Sequence, residues 1–257
     1  MISEILLLLG ISLVIQIIFF IIAFILKTDK FTDITYSLTF ILLALIILSF
    51  NTISTAKIIL FIMILILGLR LGGFLFIRIN KYKKDIRFDK IRNSFSKFLK
   101  FWLLQGFTVW VVLLCSLIFF SLDNVILNCI SIIGLLIWIF GFLTESFADY
   151  QKFKFSLKPK NKNKFISSGL WKYSRHPNYF GEMLVWTGIY IYCISSFNLV
   201  QALIALISPL FIILLISFIS GIPILKKLAD KKFGKSKEYQ KYKKSTSLLI
   251  LWPNKKL

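Results

Sequence analysis

Seven apolar runs dominate this sequence, at about 5–26, 34–52, 58–77, 101–122, 125–145, 180–198 and 199–222. Each approaches the roughly 20 residues that a helix needs to cross the hydrocarbon core of a bilayer. Within that core the backbone must satisfy its own hydrogen bonds, so runs of this length predict helices. The expectation is an all-α integral membrane protein with about seven transmembrane helices. The run at 34–52 is short, and the run at 58–77 is interrupted by Arg70. The first run has no basic segment before it and no small-x-small cleavage site, so it reads as a retained span and not a signal peptide.

A formal charge of +21 would suggest nucleic acid in a soluble domain, but 58% hydrophobic residues gathered into spans exclude that class. The charge is better read as a topology signal, because cytoplasmic loops collect Lys and Arg. Basic clusters lie at 78–100, at 152–175 and from Lys226 to Lys256, whereas the loops near 51–57 and 122–125 hold only Lys57 and Asp123. Seven spans place every rich cluster, with Lys27 and Lys30, on one side. The amino terminus is then outside and the carboxyl tail cytoplasmic. No Gly/Ser-rich or Pro-rich linker and no internal repeat divides the chain, which predicts a single membrane domain over 1–257. The high Ile, Phe, Lys and Asn content reads as bacteria-like genome composition, which tempers the lysine excess, and a bacterial inner membrane is the expected location. Lys158–Lys164 reads as a solvated loop beside anionic headgroups. Lys226–Lys244 is expected to form an amphipathic helix interrupted at Gly234. Cys115, Cys129 and Cys193 lie in apolar runs without metal-ligand spacing and are expected to be buried thiols. With one histidine and no clustered acids, no metal site is expected.

The densest chemistry lies in Ser174-Arg175-His176-Pro177-Asn178-Tyr179-Phe180-Gly181-Glu182. Pro177 suits the first position of a helix, which leaves His176 near its N-cap. A helix N-terminus offers free N–H groups and the positive end of the dipole, and Arg175 and His176 would add to binding of a phosphate there. Asn178 and Glu182, four residues apart, share a face at the start of span six; Glu145 and Asp149 do the same at the end of span five, with Lys152 one turn on. Two polar ledges are thus expected around one mouth. The plainer alternative makes Arg175 and His176 interface anchors and pairs Glu182 with a lysine.

The segments Phe147–Phe153 and Gly169–Glu182 resemble the DUF1295 family, which is related to steroid 5-alpha-reductases and sterol reductases. Ser220-Gly221-Ile222-Pro223, Tyr239, Tyr242, Thr246 and Trp252-Pro253 fit the same resemblance. So do Asp33–Tyr36, Arg70–Gly72, Asp85–Phe88 and Gln105-Gly106. The resemblance implies a seven-helix membrane reductase using NADPH on a carbon–carbon double bond of a lipophilic substrate, an enone, sterol-like or isoprenoid lipid. It implies that 123–257 binds the cofactor and 1–122 forms the substrate side. Asn178 and Glu182 match cofactor contacts, Asp149 matches an acid at the end of helix five, and Glu145 stands where steroid enzymes have an amide. Lys152, Tyr173, Arg175, His176, Tyr242 and Lys243 are the candidates for holding phosphates. Arg78 and Arg87 would reach cofactor phosphates or serve only as positive-inside charges. Asp33 and Tyr36, one turn apart, are the candidates for polarising an enone carbonyl, with an interface acid and an aromatic-belt residue as the alternative reading. Arg70 either faces a cavity or snorkels to the surface. Relatives often carry an acid just after Gly-x-Pro-x-x, where this chain has Lys226-Lys227.

Arg175 to Gly181 also satisfies the Arg-His-Pro-x-Tyr-x-Gly core of isoprenylcysteine carboxyl methyltransferases, which use S-adenosylmethionine. Asp149 with Gln151-Lys152 favours the reductase, and the tail Glu-Glu pair of those methyltransferases is missing. A non-catalytic lipid-binding or scaffold protein would leave Glu145, Asp149, Asn178 and Glu182 without a purpose.

Overall fold

A computed structural model describes residues 2–82 and 91–254; Arg87 and the Asp85–Phe88 segment lie outside them. Among the described residues ten α-helices run in order: α1 Ile2–Ile25, α2 Thr32–Phe50, α3 Thr55–Tyr82, α4 Phe95–Phe120, α5 Cys129–Leu157, α6 Pro177–Cys193, α7 Leu199–Ala205, α8 Ile207–Leu214, α9 Ile222–Phe233 and α10 Lys237–Ser245. Among the described residues the only extended pairing is an isolated bridge between Ser174 and Ser247. Six stretches among the described residues are long and apolar enough to cross a membrane: α1, α2, Thr55–Ile79 within α3, α4, α5 and the interrupted run Leu199–Phe233. The protein is therefore an all-helical, multi-pass integral membrane protein. The sixth apolar run forms α6, whose 17 residues make it shorter than these six stretches. At about 1.5 Å per residue it falls just short of the roughly 30 Å hydrocarbon core.

The run after Leu199 is not one helix. Asn198 and Gln201 close a reciprocal capping box at the start of α7. After α8 the chain widens into a π turn at Leu215–Ile219, where Ser220 N donates to Leu215 O at 2.8 Å. Gly221 then caps α9, with Pro223 in its first turn. Gly234 ends α9 as expected, and Ser236 opens α10 by accepting from Tyr239 N at 3.3 Å.

The chain forms two compact units. The first comprises Met1–Ser131 and Cys193–Ser208. Within it α1 packs on α4 and α2 on α3. Its interior carries a buried polar network: Gln105 Nε2 donates to Gln16 Oε1 (2.9 Å) and to Thr32 O (3.0 Å), and Gln16 Nε2 donates to Thr39 Oγ1 (2.9 Å). Gly106 lets α1 close on α4, because a Cβ there would lie 2.9 Å from Gln16 Cγ; its carbonyl accepts from Ser12 Oγ at 2.9 Å. The Gln105-Gly106 pair is thus a packing device. Cys115 and Cys193 are buried, but Cys129 is exposed: as the first residue of α5 it points outward, against the expectation of three buried thiols.

The second unit comprises Ile132–Tyr192 and Pro209–Leu257. Its organising feature is a glycine seam between α5 and α6. A Cβ at Gly141 would stand 2.8 Å from Gly181 O, one at Gly181 2.5 Å from Glu145 N, and one at Gly188 2.6 Å from Trp138 N. Gly134 packs the same way against the backbone of Tyr192. On each helix the glycines are seven residues apart, close to two turns, so they stay on one face. Backbone meets backbone here, and no larger side chain fits. We expect Gly181→Ala to destabilise the protein by about 1–3 kcal/mol through overpacking. At Gly10, where a Cβ meets nothing within 4 Å, alanine should be neutral or stabilising by up to about 1 kcal/mol. Thermal unfolding of both variants in detergent checks the contrast.

Candidate functional site

The seam delivers the loop between α5 and α6 to the carboxyl tail, and the contacts that build the site lie within the second unit. Pro177 opens α6 as the sequence predicts, with Phe180 N donating to His176 O at 3.1 Å. On one side the loop is pinned to the end of α5. Trp171 Nε1 donates to Ala148 O (3.0 Å), Leu170 N donates to Gln151 Oε1 (2.9 Å), and the Lys152 ammonium stands 4.7 Å over the Trp171 ring. Gly169, at φ +63°, turns the chain into this contact; a side chain there would be both strained and 2.5 Å from Gln151 Oε1.

The tail pins the other side. Tyr242 Oη donates to Trp171 O (2.6 Å), Arg175 N donates to Ser247 O (2.9 Å), and Trp252 N donates to Tyr173 O (3.3 Å). Phe165 packs between Tyr239 and Tyr242, with ring centroids 5.3 Å from each. Burial raises the Tyr242 hydroxyl above its ordinary range, with Arg175 pulling the other way, so it stays protonated and keeps its donor role.

Two cavities open where loop and tail meet. The larger, about 930 Å³, is lined by Arg175, Lys226, Lys227, Lys243 and Lys244 together with Asp230, Gln240, Ser217 and an apolar floor of Ile222, Pro223 and Leu248. The smaller, about 350 Å³, is lined by Arg175, Lys243 and Lys244 again, with Ser245, Thr246, Ser247, Trp252 and Pro253. Asp230 holds Lys243 through both carboxylate oxygens at 2.8 Å and accepts from Tyr239 Oη at 3.1 Å. That carboxylate offsets one of five cations, so the larger cavity keeps a strong positive potential and attracts an anion. Arg175 Nε, Asn178 Oδ1 and Thr246 Oγ1 are buried without a hydrogen-bond partner among the described residues. Of these, Arg175 and Thr246 belong to cavity walls, where a bound group or water can complete their hydrogen bonding.

Of the residues the sequence nominates, Arg175 and Lys243 line both cavities. His176 lies behind them, buried and stacked on Tyr179 with centroids 5.7 Å apart. Burial, then Lys152 and Arg175, lower its pKa from 6.5 to about 4. At neutral pH it is uncharged, so the positive charge comes from Arg175 and the lysines and not from the histidine. Glu145 is 6% exposed and sits in the seam against Gly181, which sets it level with Asn178 and Glu182. Asp149 is half-buried one turn further along α5, and Tyr173 is exposed beneath the Lys172 ammonium at 5.9 Å. Neither polar ledge lines the two cavities. Asp33 and Tyr36 belong to the first unit: Asp33 pairs with Arg78 at 3.6 Å, and the Tyr36 ring meets Phe40 edge-on at 4.9 Å. Arg70 stacks its guanidinium over Phe74 at 5.5 Å.

Sequence reasoning missed Asp230 and Lys244, gave Thr246 no role beyond the resemblance, and treated Lys226-Lys227 as a broken pattern. Asp230 did leave a signal: it is the only acid between Glu182 and Glu238. The two lysines sit on the cavity face of α9, where they make the wall basic.

Residues 19–246, reaching into both units, match the family model DUF1295, described as a protein of unknown function. The chain belongs to the DUF1295 family. No curated protein and no solved structure matches it significantly.

The single histidine of this DUF1295 protein gives a clean pH test. Between about pH 6.5 and about pH 4 the unfolded chain binds a proton that the folded chain refuses. Stability is therefore full above pH 6.5 and falls as pH drops through that window, by up to about 1.4 kcal/mol per pH unit. Thermal unfolding between pH 7 and pH 5.5, above the carboxylate range, should show the decline, and His176→Gln should flatten it.

Proposed function

We propose that the protein is a membrane oxidoreductase of the bacterial inner membrane that uses NADPH to reduce a carbon–carbon double bond in a lipophilic substrate. The observation that carries this reading is the larger cavity, where Arg175 and four lysines surround a single, already paired carboxylate. Its volume falls within the roughly 300–1,000 Å³ usual for small-molecule sites. NADPH carries a pyrophosphate and a 2′-phosphomonoester, and the residues present fit those groups. Arg175 is suited to bidentate phosphate contacts, Lys226, Lys227 and Lys244 act as point charges, and Thr246 Oγ1 has a hydrogen bond to give. When bound, NADPH supplies the hydride. The chain's own part is to hold the phosphates at the loop–tail junction, with the Arg175 N–H on Ser247 O fixing that arginine against the tail and the seam fixing the start of α6. The resemblance between 145 and 182 points to Asn178 and Glu182 as further cofactor contacts.

S-adenosylmethionine is the competing cofactor, suggested by the Arg-His-Pro core. It is a sulfonium cation without phosphate, and a cavity of this charge disfavours it. Thermal-shift titrations in detergent with NADPH, NADH, S-adenosylmethionine and its demethylated product separate the two readings. NADPH should stabilise most; stabilisation by S-adenosylmethionine and not by NADPH overturns the reductase. A charge-assisted hydrogen bond is worth about 1.5–3 kcal/mol, so Lys226→Gln with Lys227→Gln should weaken NADPH binding about tenfold or more while leaving the unliganded melting point in place. Asn178→Ala and Glu182→Gln should weaken it as well. Normal NADPH binding by both would remove the motif from the site.

A further inference from the structure

We propose that the outer face of α9 is an interfacial contact for anionic phospholipid, so that the bilayer surface holds one wall of the basic cavity in place. The helix has two distinct faces. Ile222, Pro223, Lys226, Lys227 and Asp230 point into the cavity. On the opposite side, at helical spacing of about 100° per residue, stand Ile224 (41% exposed) and Leu228 (53% exposed), one turn apart. Exposed Lys231 and Lys232 flank them, and exposed Lys235 follows just past the helix.

Two observations identify the occupant. The first is chain continuity: the exposed apolar side chains Leu210, Leu214 and Phe218 lie on the membrane-spanning run that leads into α9, and exposed Ile224 and Leu228 follow just past its π turn. The second is charge. A short helix with apolar side chains on one face and lysines beside them lies in the headgroup plane, its apolar side chains in the acyl boundary and its lysines on anionic lipid. Lysines at 231, 232 and 235 find no partner in a zwitterionic surface but a complementary one in phosphatidylglycerol. The arrangement also has a consequence for the site, because Asp230 on the inner face clamps Lys243 of α10. Lipid that steadies α9 steadies the cavity wall. The inference does not rest on which cofactor the cavity takes.

Hydrogen–deuterium exchange of the full-length protein, without cofactor, tests it. Nanodiscs of phosphatidylcholine are compared with nanodiscs containing phosphatidylglycerol. The amides of 222–233 should exchange about tenfold more slowly in the anionic discs, a conservative figure for three lysines at an anionic surface. The combined variant Lys231→Gln, Lys232→Gln, Lys235→Gln should lose that difference, whereas Lys158→Gln with Lys160→Gln, in the α5–α6 loop, should retain it. Equal exchange in both lipids for the wild type, or a difference that survives the triple change, overturns the proposal. If the triple variant fails to fold, Lys231→Gln and Lys235→Gln taken singly decide: each should shrink the lipid difference, and a difference unchanged in both overturns the proposal.

Discussion

Everything that positions the candidate site depends on α5 and α6 being able to touch backbone to backbone. Inside a bilayer there is little hydrophobic gain in bringing two helices together, since lipid is as apolar as leucine. Association must come from close packing, and close packing needs small residues. Gly134 and Gly141 on α5 meet Gly188 and Gly181 on α6. Ordinary side chains would hold two helix axes about 8–10 Å apart. With the glycines, the main chain of Gly181 rests on Glu145, and the start of α6 is set beside the end of α5. Trp171, Lys152 and Gln151 can then pin the connecting loop, and the tail can fold over it.

On that frame, electrostatics separates two kinds of residue that look alike in sequence. Arg175 and His176 are neighbours, yet Arg175 lines both cavities while His176 is buried behind them and held neutral. The lysines divide in the same way. Lys243 is neutralised by Asp230, whereas Lys226, Lys227 and Lys244 leave the cavity basic. One carboxylate among five cations keeps the wall together without cancelling its field.

Much of this was legible. Pro177 announced α6, Gly234 announced the break in the tail, and the apolar runs announced a helical membrane protein. These are local signals, read within a few residues of where they act. The shortness of α6 was less visible, because apolar residues continue past Cys193 while the helix stops at a tight turn over Ile194–Ser196. The outward placement of Cys129 was invisible, since an apolar neighbourhood in sequence does not say which side of a helix meets lipid. The packing role of the glycines was hidden for the same reason: a seven-residue spacing on one helix gains meaning only when a second helix carries its match.

Read alone, the residues were enough to settle the class of molecule. Hydropathy and a bilayer's intolerance of unpaired backbone groups admit few alternatives once such runs are present. Only the tertiary structure decided which charges share a space. Arg175 and Lys226 are far apart along the chain, and nothing in either neighbourhood predicts that they line one cavity. That depends on the glycine contacts, the loop they hold and the tail that closes over it, and on the field that results when five cations converge on one carboxylate.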